Sequence, residues 1–143
     1  MKNAKTELIK NLIIIFNYKT LCDKNGEMFV LPFECGINDI SEYEFDDFEK
    51  KTAFEALQTH IHLMEHLSLR DFFYCQKISP IIGKAVLKNL KTRFPDKHFF
   101  VFLEMKWRGS FIIRFHQEWE KDFTYYDLNN TKAKGFRLVW LYK

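Results

Sequence analysis

HFFVFLEMK at residues 98–106 and FIIRFHQ at residues 111–117 decide the fold. Both runs are dense in aromatic and branched side chains, and Trp107-Arg108-Gly109-Ser110 between them reads as a turn. In the second run, alternation places Ile112, Arg114 and His116 on one face and Ile113, Phe115 and Gln117 on the other. Two further strands are predicted, Phe123–Leu128 and Phe136–Tyr142, joined by a polar turn over Asn129–Gly135. Short links between successive strands make them antiparallel neighbours, so the economical solution is a four-stranded antiparallel meander.

Upstream the period is helical. Leu8, Leu12, Ile15 and Phe16 share one face of a helix over residues 4–18, although Ile13 and Ile14 leave a strand from Leu12 open. Asp23-Lys24-Asn25-Gly26 is a turn, and Met28–Phe33 reads as a short strand whose Pro32 argues for an edge. Ser41 is a candidate N-cap, followed by the apolar stripe Phe45, Phe48, Ala53, Ala56, Leu57, Ile61, Met64 and Leu67, which predicts one long helix to about residue 67. Pro80–Arg93 reads as a third helix with proline in its first turn; Asp71–Ile78 is ambiguous. Helices that precede an antiparallel sheet make the chain α+β, with N-terminal helices packed on a C-terminal four-stranded meander in a single domain over residues 1–143.

Composition narrows the function. The chain is 47% hydrophobic and 29% charged, a globular balance that excludes disorder. Sixteen Phe, six Tyr and three Trp exceed what one small core needs, so some should face a partner or line a pocket. Neither a dinucleotide-binding nor a P-loop glycine signature occurs. The apolar run Leu12–Phe16 is too short to span a bilayer or to serve as a signal peptide, so a cytoplasmic protein with no membrane partner is expected. Cys22, Cys35 and Cys75 form no C-x-x-C pair, which fits reduced thiols rather than a disulfide framework. Residues 1–71 carry eight Lys and Arg against thirteen Asp and Glu, and residues 72–143 carry fourteen against six. Opposite electrostatic faces are therefore expected.

Three constellations carry possible chemistry. Glu42, Glu44, Asp46, Asp47 and Glu49 crowd eight residues and are interleaved with Tyr43, Phe45 and Phe48. Such carboxylates repel by roughly a few tenths of a kcal/mol per close pair on a helix, a cost that suits a basic partner as well as a helix dipole. His62 and His66 have the helical spacing of two zinc ligands, but the run is H-L-M-E-H and offers no third ligand, so neither a metal nor a cofactor is expected. The third set is Arg114, His116, Gln117, Trp119, Tyr125, Tyr126 and Asp127. A hairpin could bring His116 and Arg114 beside Tyr125 or Asp127, enough for general acid–base work on a phosphodiester and equally enough for a structural polar network. Phe99, Phe100, Phe102 and Phe111 with Lys106 and Arg108 could instead form a stacking platform for nucleic acid, though the RNA-recognition signature is absent and nucleic acid is the less favoured partner.

The segment SFIIRFHQEWEKDFTYYD at 110–127, in a chain of this size and charge asymmetry, resembles the small immunity proteins of bacterial polymorphic and contact-dependent toxin systems. That resemblance implies a cytoplasmic inhibitor that occludes the active site, or an adjoining surface, of a cognate toxin domain such as a nuclease. It carries over no catalytic residue. The interface would use Glu42, Tyr43, Glu44, Asp46, Asp47 and Glu49, or an aromatic-basic sheet edge of Arg108, Arg114, His116, Trp119 and Tyr126. The competing expectation is a small nuclease- or hydrolase-like enzyme built on His116, Arg114 and Asp127.

Overall fold

The computed structural model describes residues 4–126 and 137–143. Their elements run α1 (Ala4–Ile15), β1 (Tyr18–Cys22), β2 (Met28–Pro32), α2 (Phe48–Gln58), β3 (Ile61–Met64), α3 (Leu69–Arg93), β4 (Phe99–Lys106), β5 (Phe111–Gln117) and β6 (Arg137–Tyr142). The protein is α+β, as expected. The sheet, however, is not a meander: its antiparallel order is β3-β5-β4-β6, and β1 and β2 form a separate two-stranded hairpin.

The helix expected up to residue 67 is two elements. Asp47 caps α2 by accepting the Lys50 amide at 2.7 Å, so the helix begins at Phe48, within the end of the acidic segment, rather than at Ser41. It ends at Thr59, whose hydroxyl is taken by the backbone of Phe115. The chain then enters β3, where Ile61 lies opposite Ile113 and His62 opposite Ile112. A stripe at helical spacing continued by coincidence into a strand, and only pairing with β5 separates the two readings. Consequently His62 and His66 share no helix face.

α3 is longer than expected and includes the ambiguous Asp71–Ile78. Ser68 and Asp71 form a reciprocal capping box that starts it. Pro80 lies inside the helix, with Ser79 Oγ bonded to the Cys75 carbonyl at 2.7 Å. Helix and sheet approach closely at Gly83, where a Cβ would stand 2.3 Å from the Tyr142 ring.

Residues 123–126 form no strand, contrary to expectation; Asp127, Leu128 and the expected turn at 129–135 lie outside the described residues, as does Phe136. The main core lies between α1, α3 and one sheet face: Phe99, Val101, Leu103, Met105, Phe111, Ile113 and Phe115 pack with Leu8, Ile15, Phe72, Val86 and Leu90. Leu138, Trp140 and Tyr142 of β6 pack against this same core, which identifies the aromatic face of that strand as interior. A smaller aromatic cluster joins the hairpin to α2, with Phe29 4.9 Å from Phe45, 5.4 Å from Phe54 and 4.9 Å from Trp119. Among the described residues no helix is long and apolar enough to cross a membrane.

Candidate functional site

Two regions hold the side chains singled out by sequence. The first is the acidic segment, most of which is the non-helical approach to α2, with Phe48 and Glu49 in the first turn of that helix. Glu42, Glu44, Asp46, Asp47 and Glu49 are all exposed, and Tyr43 projects with 62% of its surface free. The intervening aromatics turn inward: Phe45 meets Phe29 and Phe54, and Phe48 meets Phe123 at 4.9 Å. The Tyr43 carbonyl accepts the Lys24 amide at 2.9 Å, tying the segment to the β1–β2 turn. Asp46 pairs with Lys50 at 2.8 Å, and that hydrogen bond holds its carboxyl below the usual range. From residue 25 to residue 49 there is no Lys, Arg or His.

The second region is the sheet face opposite the main core. Register sets rows across it: Arg114 lies beside Phe102, which lies beside Leu141; His116 lies beside Phe100; Ile112 lies beside Glu104. The chain after β5 folds back over these rows. His116 is fully buried, its Nε2 accepting the Tyr125 amide at 3.1 Å, its Nδ1 2.7 Å from the Gln117 carbonyl. That pairing fixes a neutral tautomer protonated at Nδ1. Burial is the main cause lowering its pKa to about 4, and Arg114 pushes in the same direction. Arg114 is itself buried, with its guanidinium carbon 4.7 Å from the Tyr125 ring centre and 5.4 Å from that of Tyr126. Tyr126 donates to Glu104 at 2.6 Å and packs on Phe102. The structure thus brings Arg114, His116, Tyr125 and Tyr126 together, by a fold-back rather than a hairpin, and both imidazole nitrogens are already occupied.

The other expected members scatter. Arg108 stands in the β4–β5 turn at φ 60°, over the Trp107 ring at 4.5 Å. Trp119 follows the far end of β5, about 20 Å away at ~3.4 Å per residue, flanked by Lys51 at 5.2 Å and Lys97 at 5.8 Å. Arg108, Trp119 and Tyr126 therefore form no single sheet-edge patch. Phe99, Phe100, Phe102 and Phe111 are all buried, so they display no stacking platform.

One side chain escaped the sequence reading. Glu55 is completely buried on α2 and accepts hydrogen bonds from the Val30 amide at 2.9 Å, the Gln117 side-chain amide at 2.7 Å and the Gln117 backbone amide. β3 covers β5 only as far as Ile113; beyond it, Thr59 satisfies Phe115 and Glu55 satisfies Gln117 in place of a neighbouring strand. Burial pushes the Glu55 carboxyl up to about 7 against the opposing pull of these donors and of Lys97. No sequence signal marks it: on the stripe of Ala53, Ala56 and Leu57, Glu55 falls on the opposite side of the helix, whereas the face that is buried carries Thr52, Glu55 and Ala56.

Among the described residues no three His, Cys, Asp or Glu side chains are grouped to hold a metal. His62 instead pairs with Glu65, whose carboxyl is held low first by the hydrogen bond from Ser110. No family model matches the chain, and no curated protein or solved structure is significantly similar to it.

Proposed function

We propose that the chain is a protein-binding inhibitor, an immunity protein acting in the bacterial cytoplasm, that neutralises a toxin domain by covering a basic surface at or beside its active site. The observation that carries this reading is the segment from Glu34 to Glu49. It exposes seven carboxylates, those of Glu34, Asp39, Glu42, Glu44, Asp46, Asp47 and Glu49, with no cationic residue inside the segment. Phe45 packs in the aromatic cluster and Phe48 on Phe123, contacts that hold the end of the segment in place and so lower the entropy cost of binding. Tyr43 is the exposed aromatic at its centre and the natural anchor of an interface. A nuclease, which must hold phosphates, presents a matching basic cleft.

The sheet-face cluster supports catalysis less well. His116 is enclosed and hydrogen-bonded through both nitrogens, whereas a general base needs one nitrogen open to substrate.

Glu42→Lys with Glu44→Lys is the test of the interface. Neither residue caps a helix, unlike Asp47, so the double reversal leaves the fold intact while slowing association most at low salt. An unchanged association rate with a captured toxin domain would sink the assignment.

A further inference from the structure

The expectation of no membrane partner rested on an apolar run too short to span a bilayer, which does not bear on lying against one, and the helical layer points to such a surface. Eight large hydrophobic side chains are more than half exposed among the described residues, and five belong to α1 and α3: Ile9, Ile13, Leu69, Phe73 and Ile81. The two helices meet where Lys5 of α1 lies over the Tyr74 ring of α3 at 5.5 Å.

On α3 the exposed residues Arg70, Phe73, Lys77, Ile81, Lys84, Lys88 and Lys91 follow one another at spacings of three or four. They therefore form one stripe along a helix about 37 Å long at ~1.5 Å per residue. Asp71 is the only acid of this helix, and the Ser68 capping box engages it. None of the five cations in the stripe takes part in an ion pair among the described residues. Lys84, Lys88 and Lys91, with Leu87 and Thr92, border a groove of about 340 Å³.

Cations alone would suit any polyanion. Phe73 and Ile81 between them, with Ile9 and Ile13 on the adjoining helix, add apolar surface that a nucleic-acid backbone cannot use. A lipid interface uses both, because apolar side chains enter the headgroup boundary while lysine stems snorkel to the phosphates. We propose that the outward face of α3 docks on an anionic phospholipid surface, with Phe73 and Ile81 entering it and Arg70, Lys77, Lys84, Lys88 and Lys91 facing the lipid phosphates. The acidic segment is outside this face, since it leads into α2, which packs on β5 and β2.

Co-sedimentation of the full chain with vesicles tests this, using phosphatidylcholine alone and phosphatidylcholine mixed with phosphatidylglycerol. Binding is expected only to the mixed vesicles and is released by high salt. Lys84→Glu/Lys88→Glu/Lys91→Glu should weaken partitioning about a hundredfold or more, from about fivefold per basic residue removed. Phe73→Ser/Ile81→Ser should weaken it about tenfold through lost apolar insertion, with its salt dependence unchanged. The two variants are independent, so failure of one to fold leaves the other decisive. No partitioning of the wild-type chain at low salt would overturn the proposal. So would binding to a duplex oligonucleotide that needs the same lysines and ignores Phe73 and Ile81.

Discussion

The segment 42–49 and the layer around β5 are equally rich in functional residue types, and they differ in where their hydrogen bonds go. Around β5 three side chains are spent inside the protein, Glu55 on three amides, His116 on two backbone groups and Thr59 on Phe115, while the buried Arg114 Nε and Trp119 Nε1 have no hydrogen-bond partner among the described residues. In the acidic segment only Asp47 and Asp46 have such duties, as a cap and in a pair with Lys50. A polar cluster satisfied internally holds the fold, and one left facing water is available to a partner.

The comparison breaks first at Glu55. Glu55→Ala would orphan the buried amides of Val30 and Gln117, at ~1–3 kcal/mol each, and should lower unfolding stability by about 3–5 kcal/mol in denaturant titrations. A loss within ~0.5 kcal/mol, the surface range, would place this carboxylate with those of the segment.

Titration sharpens the same contrast. The folded Glu55 carboxyl titrates near 7, above its unfolded range, so its contribution is fully present below about pH 4.5 and is lost as pH rises to 7. The folded His116 imidazole titrates near 4, below its unfolded range, so its contribution is present above about pH 6.5 and is lost as pH falls to 4. Between these limits the two slopes oppose each other. Glu55→Gln removes the first, and its stability should then rise from pH 4 to 6.5 by ~1.4 kcal/mol per unit at the steepest point. A stability that falls over that interval would contradict the buried, neutral state of His116.

Smaller effects follow. Gly83→Ala sets a methyl into the Tyr142 ring and should cost about 1–3 kcal/mol as overpacking, read as a lowered Tm. Asp47→Ala removes the α2 cap and should cost about 1 kcal/mol. Glu42→Lys/Glu44→Lys should change stability by no more than ~0.5 kcal/mol while altering association, which is the signature separating a partner surface from a structural one.

Much of this contrast was readable from sequence and part was not. Alternation in FIIRFHQ put Arg114 and His116 on one face correctly, because a two-residue period is fixed by the strand itself. The split of 41–67 into α2 and β3 was hidden, because Ile61, Met64 and Leu67, spaced by three, continue the helical period, and the strand is set only by Ile113 and Ile112 across the sheet. The acidic character of residues 42–49 was plain in composition; that Phe45 and Phe48 anchor the segment depends on Phe29, Phe54 and Phe123, distant in sequence. The role of Glu55 was missed because a carboxylate acting as a substitute strand needs a gap in β3 that no local pattern records.

The central claim, that the acidic segment is a partner surface, is tested most directly by affinity capture. Tagged wild-type and Glu42→Lys/Glu44→Lys proteins would be used on lysate of the native cells, with mass spectrometry of what each retains at low and high salt. A stoichiometric toxin-domain protein with a basic surface, held by the wild type and lost from the variant and at high salt, is the predicted result. Identical partners on both proteins, or none on either, would contradict it.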